Sequence, residues 1–347
     1  MSLPLHELDF TDLYICLSDD GPVSNYSPRP KPGQALGSYP VPEDYQDDIN
    51  SLAKLVNKEE KSTFSMYFEG MRLRGAKQTV FGGTEWVCLR RFPSEVPNLD
   101  RLGFTPEILK TFKSWGKRNG LIVIGGATRA GKTTTAVALL KNFLETHGQV
   151  AVTIEDPVEY DMTGKVGDRG NCYQVPVHDE GDWAEGVKTA LRWAPRYIFL
   201  GEVRTPKAAS NLLRAATSGH LVICTVHGGS VEETLGAILQ IAQAELGDTA
   251  LTRLADGLCA VVHQQIIGGR PSVFTLQTDP NRPADPVRAA IRGNKLQILG
   301  TEISKQEALR RQDTTEAPPL NKPSTSRPNT PTSSTPEKKR GIFGFGS

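Results

Sequence analysis

Apolar and polar positions follow three regimes along the chain. Up to about residue 98 they alternate in short runs, "DLYICL", "STFSMYF", "MRLRGAKQTVF" and "EWVCLRRF". A period of two marks half-buried strands. Gly82-Gly83 in "FGGTEW" separates two of these runs and predicts a hairpin. "PEDYQDDINSLAKLVNKEEKS" predicts a helix among the strands, and residues 21–42, with six prolines, predict an irregular loop. Residues 1–98 thus read as a small α+β domain.

Residues 99–311 follow a second regime. "LIVI", "VAVTIE", "YIFLGE" and "LVICTVH" are short, continuously apolar and β-branched, with helical stretches between most of them. Such strands are buried on both faces, which predicts an α/β domain with a parallel sheet covered by helices. Thr105-Pro106 supplies a cap and a first-turn proline for the helix "EILKTFKSWGKR". The third regime, 312–347, is rich in Pro, Ser and Thr and has too few apolar residues to build a core, so disorder is expected there. Its end, "KKRGIFGFGS", reads either as a solvated terminus or as a docking segment.

Composition narrows the partners. Forty basic residues against 39 acidic ones give a formal charge of +1 over 347 residues. No global basic field draws the chain to nucleic acid, which is not expected as a partner. The five cysteines form no C-x-x-C pair and read as reduced core residues rather than as zinc ligands. "MSLPLHELDFTD" lacks the basic start and apolar run of a signal peptide. No run approaches the roughly 18 apolar residues of a membrane span.

The densest chemical signal is "GGATRAGKTTT", between the run "LIVI" and the helix "AVALLKNFLETHG". Gly126-x-x-x-x-Gly131-Lys132-Thr133 matches the phosphate-loop pattern in the strand–loop–helix context it requires. Glycines let backbone N–H groups turn in around phosphate oxygens, and the helix that follows offers its positive end. Lys132 suits the β- and γ-phosphates, and the Thr133 hydroxyl suits Mg2+. Ala130 and Thr134 complete the candidate contacts, while Arg129 either adds a phosphate contact or faces solvent. No N-K-x-D guanine reader occurs, which favours ATP.

Three further runs end in polar residues. "VTIEDPVEY" puts Glu155, Asp156 and Glu159 where a strand runs out, as a solvated turn or as part of a nucleotide site. "YIFLGEVR" ends in Gly201-Glu202, and Glu202 is the candidate to orient and deprotonate an attacking water. His220 and His227 bracket "LVICTV", as structural residues or as a sensor of the γ-phosphate.

In this order, "GGATRAGKTTT", "TIEDPVEY", "LRWAPRYIFLGEVR" and "AATSGHLVICTVHGGS" resemble the Walker A, aspartate box, atypical Walker B and histidine box of the type II/type IV secretion-system traffic ATPases, closest to the pilus-retraction branch. The resemblance covers about residues 60–300. It implies a PAS-like N-terminal domain before a RecA-like ATPase domain, assembled as a homohexamer. It also implies Glu202 as catalytic glutamate, Glu159 as supporting carboxylate and His227 beside the γ-phosphate. Arg72, Arg74 and Arg90, in "MRLRG" and "CLRRFP", map to the arginines that such N-terminal domains bring to ATP, and Arg192 and Arg204 are weaker candidates. Arg288, Ile291 and Arg292 in "VRAAIRGNKL" match a retraction-motor helix or belong to an ordinary amphipathic one. Arg196 and Thr205 stand where the family pattern has Asp, and the tetracysteine module of type II secretion ATPases is missing.

The resemblance thus implies Mg-ATP hydrolysis that powers a type IV pilus or a type IV secretion or conjugation apparatus. The motor would be cytoplasmic and held at the inner membrane by platform or secretion-complex proteins. Two rivals are a nucleic-acid translocase, which the neutral charge disfavours, and a nucleotide-gated scaffold with little turnover, which Glu202 disfavours.

Overall fold

The computed structural model describes residues 3–18, 22–29, 37–177, 179–282 and 284–315. Its N-terminal part is an antiparallel sheet of β1 (Phe10–Cys16), β2 (Ser24–Pro28), β3 (Tyr39–Pro40), β4 (Thr63–Phe68), β5 (Met71–Thr79) and β6 (Glu85–Arg91). The spatial order is β3-β2-β1-β6-β5-β4. Helix α1 (Gln46–Asn57) turns Ile49, Leu52 and Val56, at helical spacing, into a core shared with Leu13, Ile15, Leu73 and Leu89 of the sheet. The β5–β6 hairpin turns at Gly82 and Gly83, both at positive φ, which glycine adopts without a Cβ penalty.

The proline-rich stretch 21–42 is not wholly an irregular loop. β2 pairs with β1, and β3 pairs with β2 at the sheet edge. Pro28 and Pro40 stand at the ends of these short strands, where a missing N–H costs the ladder little. Residues 21 and 30–36 of that stretch lie outside the described residues.

The second part contains α2 (Pro106–Ser114), β7 (Gly120–Gly125), α3 (Lys132–His147), β8 (Gln149–Glu155), β9 (Gly164–Val166), β10 (Gly170–Pro176), α4 (Glu180–Arg192) and β11 (Tyr197–Leu200). It continues with α5 (Pro206–Thr217), β12 (Leu221–Val226), α6 (Val231–Leu246), α7 (Thr249–Gly257), β13 (Leu258–Ile267), β14 (Arg270–Gln277), α8 (Pro286–Arg292) and α9 (Leu299–Thr315). The strands form one sheet in the order β14-β13-β7-β12-β11-β8-β10-β9. Neighbours from β13 to β10 run parallel. β14 and β9 are antiparallel at the two edges, so the α/β sheet is mixed where a parallel one was expected. A short turn joins β9 to β10 and β13 to β14, a connection that only antiparallel strands allow.

β7, β11 and β12 are buried at every position. Phe112 of α2 and Leu140 and Phe143 of α3 cover one face, while Leu212 of α5, Leu235 of α6 and Leu254 of α7 cover the other. Helix α9 runs on to Thr315, past the expected boundary at 311. Leu299 and Ile303 anchor it in the core, and the Gln306 side chain exchanges two hydrogen bonds with the Gln277 backbone, at 3.0 and 2.9 Å. Residues 316–347, where disorder was expected, lie outside the described residues. Among the described residues no helix is long and apolar enough to cross a membrane. All five cysteines are free thiols; burial pushes Cys172 up to about 12 and Cys259 up to about 11.

Candidate functional site

The glycine-rich loop leaves the end of β7 and closes onto the start of α3. A Cβ on Gly126, whose φ is 157°, would stand 2.3 Å from the Gln264 carbonyl oxygen. Gly131, at φ 79°, caps α3. Arg129 takes φ 65° between them, a conformation rare for a residue with a side chain. Lys132 Nζ donates to the carbonyls of Gly126 and Ala127, both at 2.9 Å, so the ammonium lies inside the loop. Burial draws its pKa down, and the charges of Glu202 and Glu159 pull it back up.

A cavity of ≈ 300 Å³ opens over this loop. Thr128, Arg129, Lys132 and Thr133 form one wall; Glu155, Asp156, Glu159, Glu202 and His227 come from the carboxyl ends of β8, β11 and β12. Parallel strands end together here, which brings residues far apart in sequence to one rim. Arg74, from β5 of the N-terminal sheet, closes the opposite side.

The carboxylates differ in environment. Glu155 is 2% exposed and accepts from the Thr153 hydroxyl at 2.7 Å and from Gln174 Nε2 at 3.1 Å. Burial raises its pKa, against those hydrogen bonds. Burial also raises that of Glu159, opposed by the charges of Arg90, Arg74 and Lys132. Glu202 is clamped: Arg204 reaches one oxygen at 2.7 Å and His227 Nε2 lies 3.0 Å from the other. Arg204 also approaches Asp156, at 3.7 Å.

The three N-terminal arginines part company. Arg74 faces the cavity, Arg72 donates to the Val158 carbonyl and stacks over Phe92, and Arg90 pairs with buried Asp12 at 2.7 Å. Ala130 and Thr134 support the loop from behind: the Ala130 carbonyl accepts from Gln264 Nε2 at 2.7 Å, and the Thr134 hydroxyl shares a 2.9 Å hydrogen bond with Tyr160. His220 sits at the other end of β12, where Nδ1 meets the Pro195 carbonyl at 2.6 Å, so it is structural rather than a sensor. Arg196 bonds Asn119, Gly219 and Arg118, also away from the cavity. In α8, Ile291 is core and Arg292 pairs with Asp256.

Sequence reasoning did not single out Gln264. From β13 it holds Ala130 and accepts from the Thr135 hydroxyl at 2.8 Å, fastening the loop to the sheet. A polar residue in an otherwise apolar run, "LCAVVHQQII", is the signal that could have found it.

A mixed, helix-covered sheet with this cavity at its strand ends defines an α/β protein built around a glycine-rich loop. The sequence pattern of the family described as "Type II/IV secretion system protein" matches residues 59–293, and the chain belongs to that family. It is 34% identical over 220 residues to the uncharacterized protein YggR of Escherichia coli, covering 60% of this chain and 63% of that one. To the type IV pilus retraction ATPase PilT of Pseudomonas aeruginosa it is 30% identical over 224 residues, 62% of each chain. These matches span less than two thirds of the curated relatives. Among solved structures, the pilus retraction motor PilT with bound ADP superposes with a TM-score of 0.67 at 25% identity, covering 86% of this chain and 87% of that one.

Proposed function

We propose that the chain binds Mg-ATP in the cavity over the glycine-rich loop and hydrolyses it. We further propose that it works as a ring of six that drives a type IV pilus or a type IV secretion or conjugation apparatus. The observation that carries this reading is the meeting of Lys132, Glu159, Glu202, His227 and Arg74 around one cavity. It is supported by the family and by the names of the relatives, which include pilus ATPases.

In this reading residues 1–98 are a PAS-like domain and residues 99–311 a RecA-like ATPase domain, the chain continuing as a tail. Lys132 exchanges its two loop carbonyls for phosphate oxygens. The donors that suit Mg2+ are hard oxygens, the Thr133 hydroxyl and the rim carboxylates, and phosphates and water would supply its other ligands. When bound, the ion neutralises charge on the phosphates. Glu202 orients the attacking water and accepts its proton, which requires at least one of its oxygens to leave Arg204 or His227. His227 then stands beside the γ-phosphate, Glu159 supports the polar rim, and Arg74 stabilises phosphate charge from the N-terminal side. Arg72 and Arg90 hold the wall from which Arg74 projects. The protein acts in the cytoplasm, attached to the inner membrane through platform or secretion-complex proteins.

One observation favours the second reading, a scaffold that binds ATP with little turnover: both Glu202 oxygens are engaged. A single pair of variants separates the two. Lys132→Ala should abolish tight ATP binding, whereas Glu202→Gln should keep binding and lose hydrolysis. Nucleotide affinity and phosphate release are measured on both. Wild-type turnover in the Glu202 variant removes that residue from the role of base, and negligible turnover in the wild type leaves the scaffold.

A further inference from the structure

A second cavity, of ≈ 470 Å³, opens at the other end of the large sheet, walled by Lys117, His147, Arg169 and Arg196. Gln149, the first residue of β8, also lines it, whereas Glu155 at the end of β8 lines the ATP cavity. Six strand steps lie between them, about 20 Å.

Three cationic side chains, Lys117, Arg169 and Arg196, converge around His147 without neutralisation. Among the described residues none of them pairs with a carboxylate, and the acceptors of Arg196 are all neutral: the Asn119 side chain and the Gly219 and Arg118 carbonyls. Burial lowers the His147 pKa, and the positive charges of Lys117 and Arg196 lower it further.

The backbone is shaped to bring these groups together. A Cβ on Gly116 would stand 2.7 Å from the His147 ring, so glycine there lets the imidazole close. A Cβ on Gly148 would stand 2.9 Å from that of Arg169. Gln149 takes φ 80°, a costly conformation for a non-glycine residue, and its N–H donates to the Arg169 carbonyl at 3.1 Å. Like charges fixed around a concavity repel one another, and a bound anion relieves that repulsion. The Arg169 guanidinium and the Lys117 ammonium can donate to the acceptor oxygens of a phosphate, and Arg196, its fork held by neutral acceptors, adds positive charge beside them.

We propose that this basic cavity binds a phosphate group, as free phosphate or as the headgroup of an anionic lipid. The proposal is independent of ATP hydrolysis. His147 is the site-specific reporter, remote enough from the glycine-rich loop to ignore phosphate bound there. The test follows histidine-selective NMR titration of the full chain with and without inorganic phosphate, which should raise the His147 pKa by about one unit. Lys117→Ala combined with Arg169→Ala, both at exposed positions, should weaken phosphate binding by at least about tenfold.

A parallel arm sediments the protein with phosphatidylcholine vesicles, with and without phosphatidic acid. Binding to the anionic vesicles that the double variant loses assigns the phosphate to lipid. A His147 shift without vesicle binding assigns it to free phosphate. A His147 titration indifferent to phosphate, with vesicle binding absent or unchanged in the variant, overturns the proposal. So does a shift of equal affinity in the double variant.

Discussion

Replacing Gln264 with leucine separates the shape of the glycine-rich loop from its chemistry. The amide is 1% exposed and is shared between two partners, the Ala130 carbonyl at 2.7 Å and the Thr135 hydroxyl at 2.8 Å. Leucine has nearly the same volume, so packing is kept while both hydrogen bonds go. Each buried polar group left unpaired costs about 1–3 kcal/mol, or about 2–6 kcal/mol for the two. The Thr135 hydroxyl has a refuge, because a threonine in a helix can turn back to the carbonyl four residues earlier, here Gly131. That leaves mainly the Ala130 carbonyl and sets the expected loss near about 2–3 kcal/mol. Domain stabilities are typically about 5–15 kcal/mol, so the variant should fold. Urea unfolding should show a lower midpoint with an unchanged slope. ATP affinity should fall by about tenfold or more, since small displacements of a positioned group are expensive. Pairing the change with Thr135→Val should give a loss smaller than the sum of the singles. A Gln264→Leu protein with wild-type midpoint and wild-type affinity would refute the idea that β13 shapes the loop.

Glu155 should make the nucleotide-free protein less stable as pH rises. Burial holds its folded pKa above the ordinary carboxylate value of about 4.5, so its stabilising share is complete below about pH 4.5 and is lost as pH climbs through the folded value. Glu155→Gln should flatten this dependence and raise the urea midpoint at pH 8 relative to pH 5; a steeper fall in the variant contradicts it. Arg90→Ala should lower stability by about 1–2 kcal/mol by unpairing buried Asp12, and cut turnover while ATP still binds. If the ring is required, wild-type specific activity should fall on dilution, and a monomer with undiminished activity sinks the ring. Truncation after residue 315 should spare turnover. Truncation after residue 298 removes Leu299, Ile303 and the Gln306 clamp and should cost at least about 2 kcal/mol in urea unfolding.

What the sequence disclosed was set by short range. The loop, Glu202 and His227 were legible because each stands where an apolar β-branched run stops, and parallel strands bring such ends together. The hairpin at Gly82-Gly83 was legible for the same local reason. The Arg90–Asp12 pair was not, because 78 residues separate its members and register alone brings them opposite. β13 escaped because His263, Gln264 and Gln265 interrupt its apolar pattern. Prolines misled in residues 21–42, where Pro28 and Pro40 mark the ends of short strands. The end of α9, past residue 311, was not legible because the helix is polar over most of its length and held by a few anchors.

The placement of β13 beside β7 also sets a timetable for synthesis. β7 and the loop leave the ribosome early, but their partners β12 and β13 follow roughly 100 residues or more later. At about 5–20 residues per second, Gln264 emerges roughly 7–28 s after Gly125. Until then the loop lacks its fastening, so a nascent chain stalled before residue 258 should be unable to hold nucleotide. The C-terminal third of the protein therefore decides when its N-proximal glycine-rich loop becomes competent.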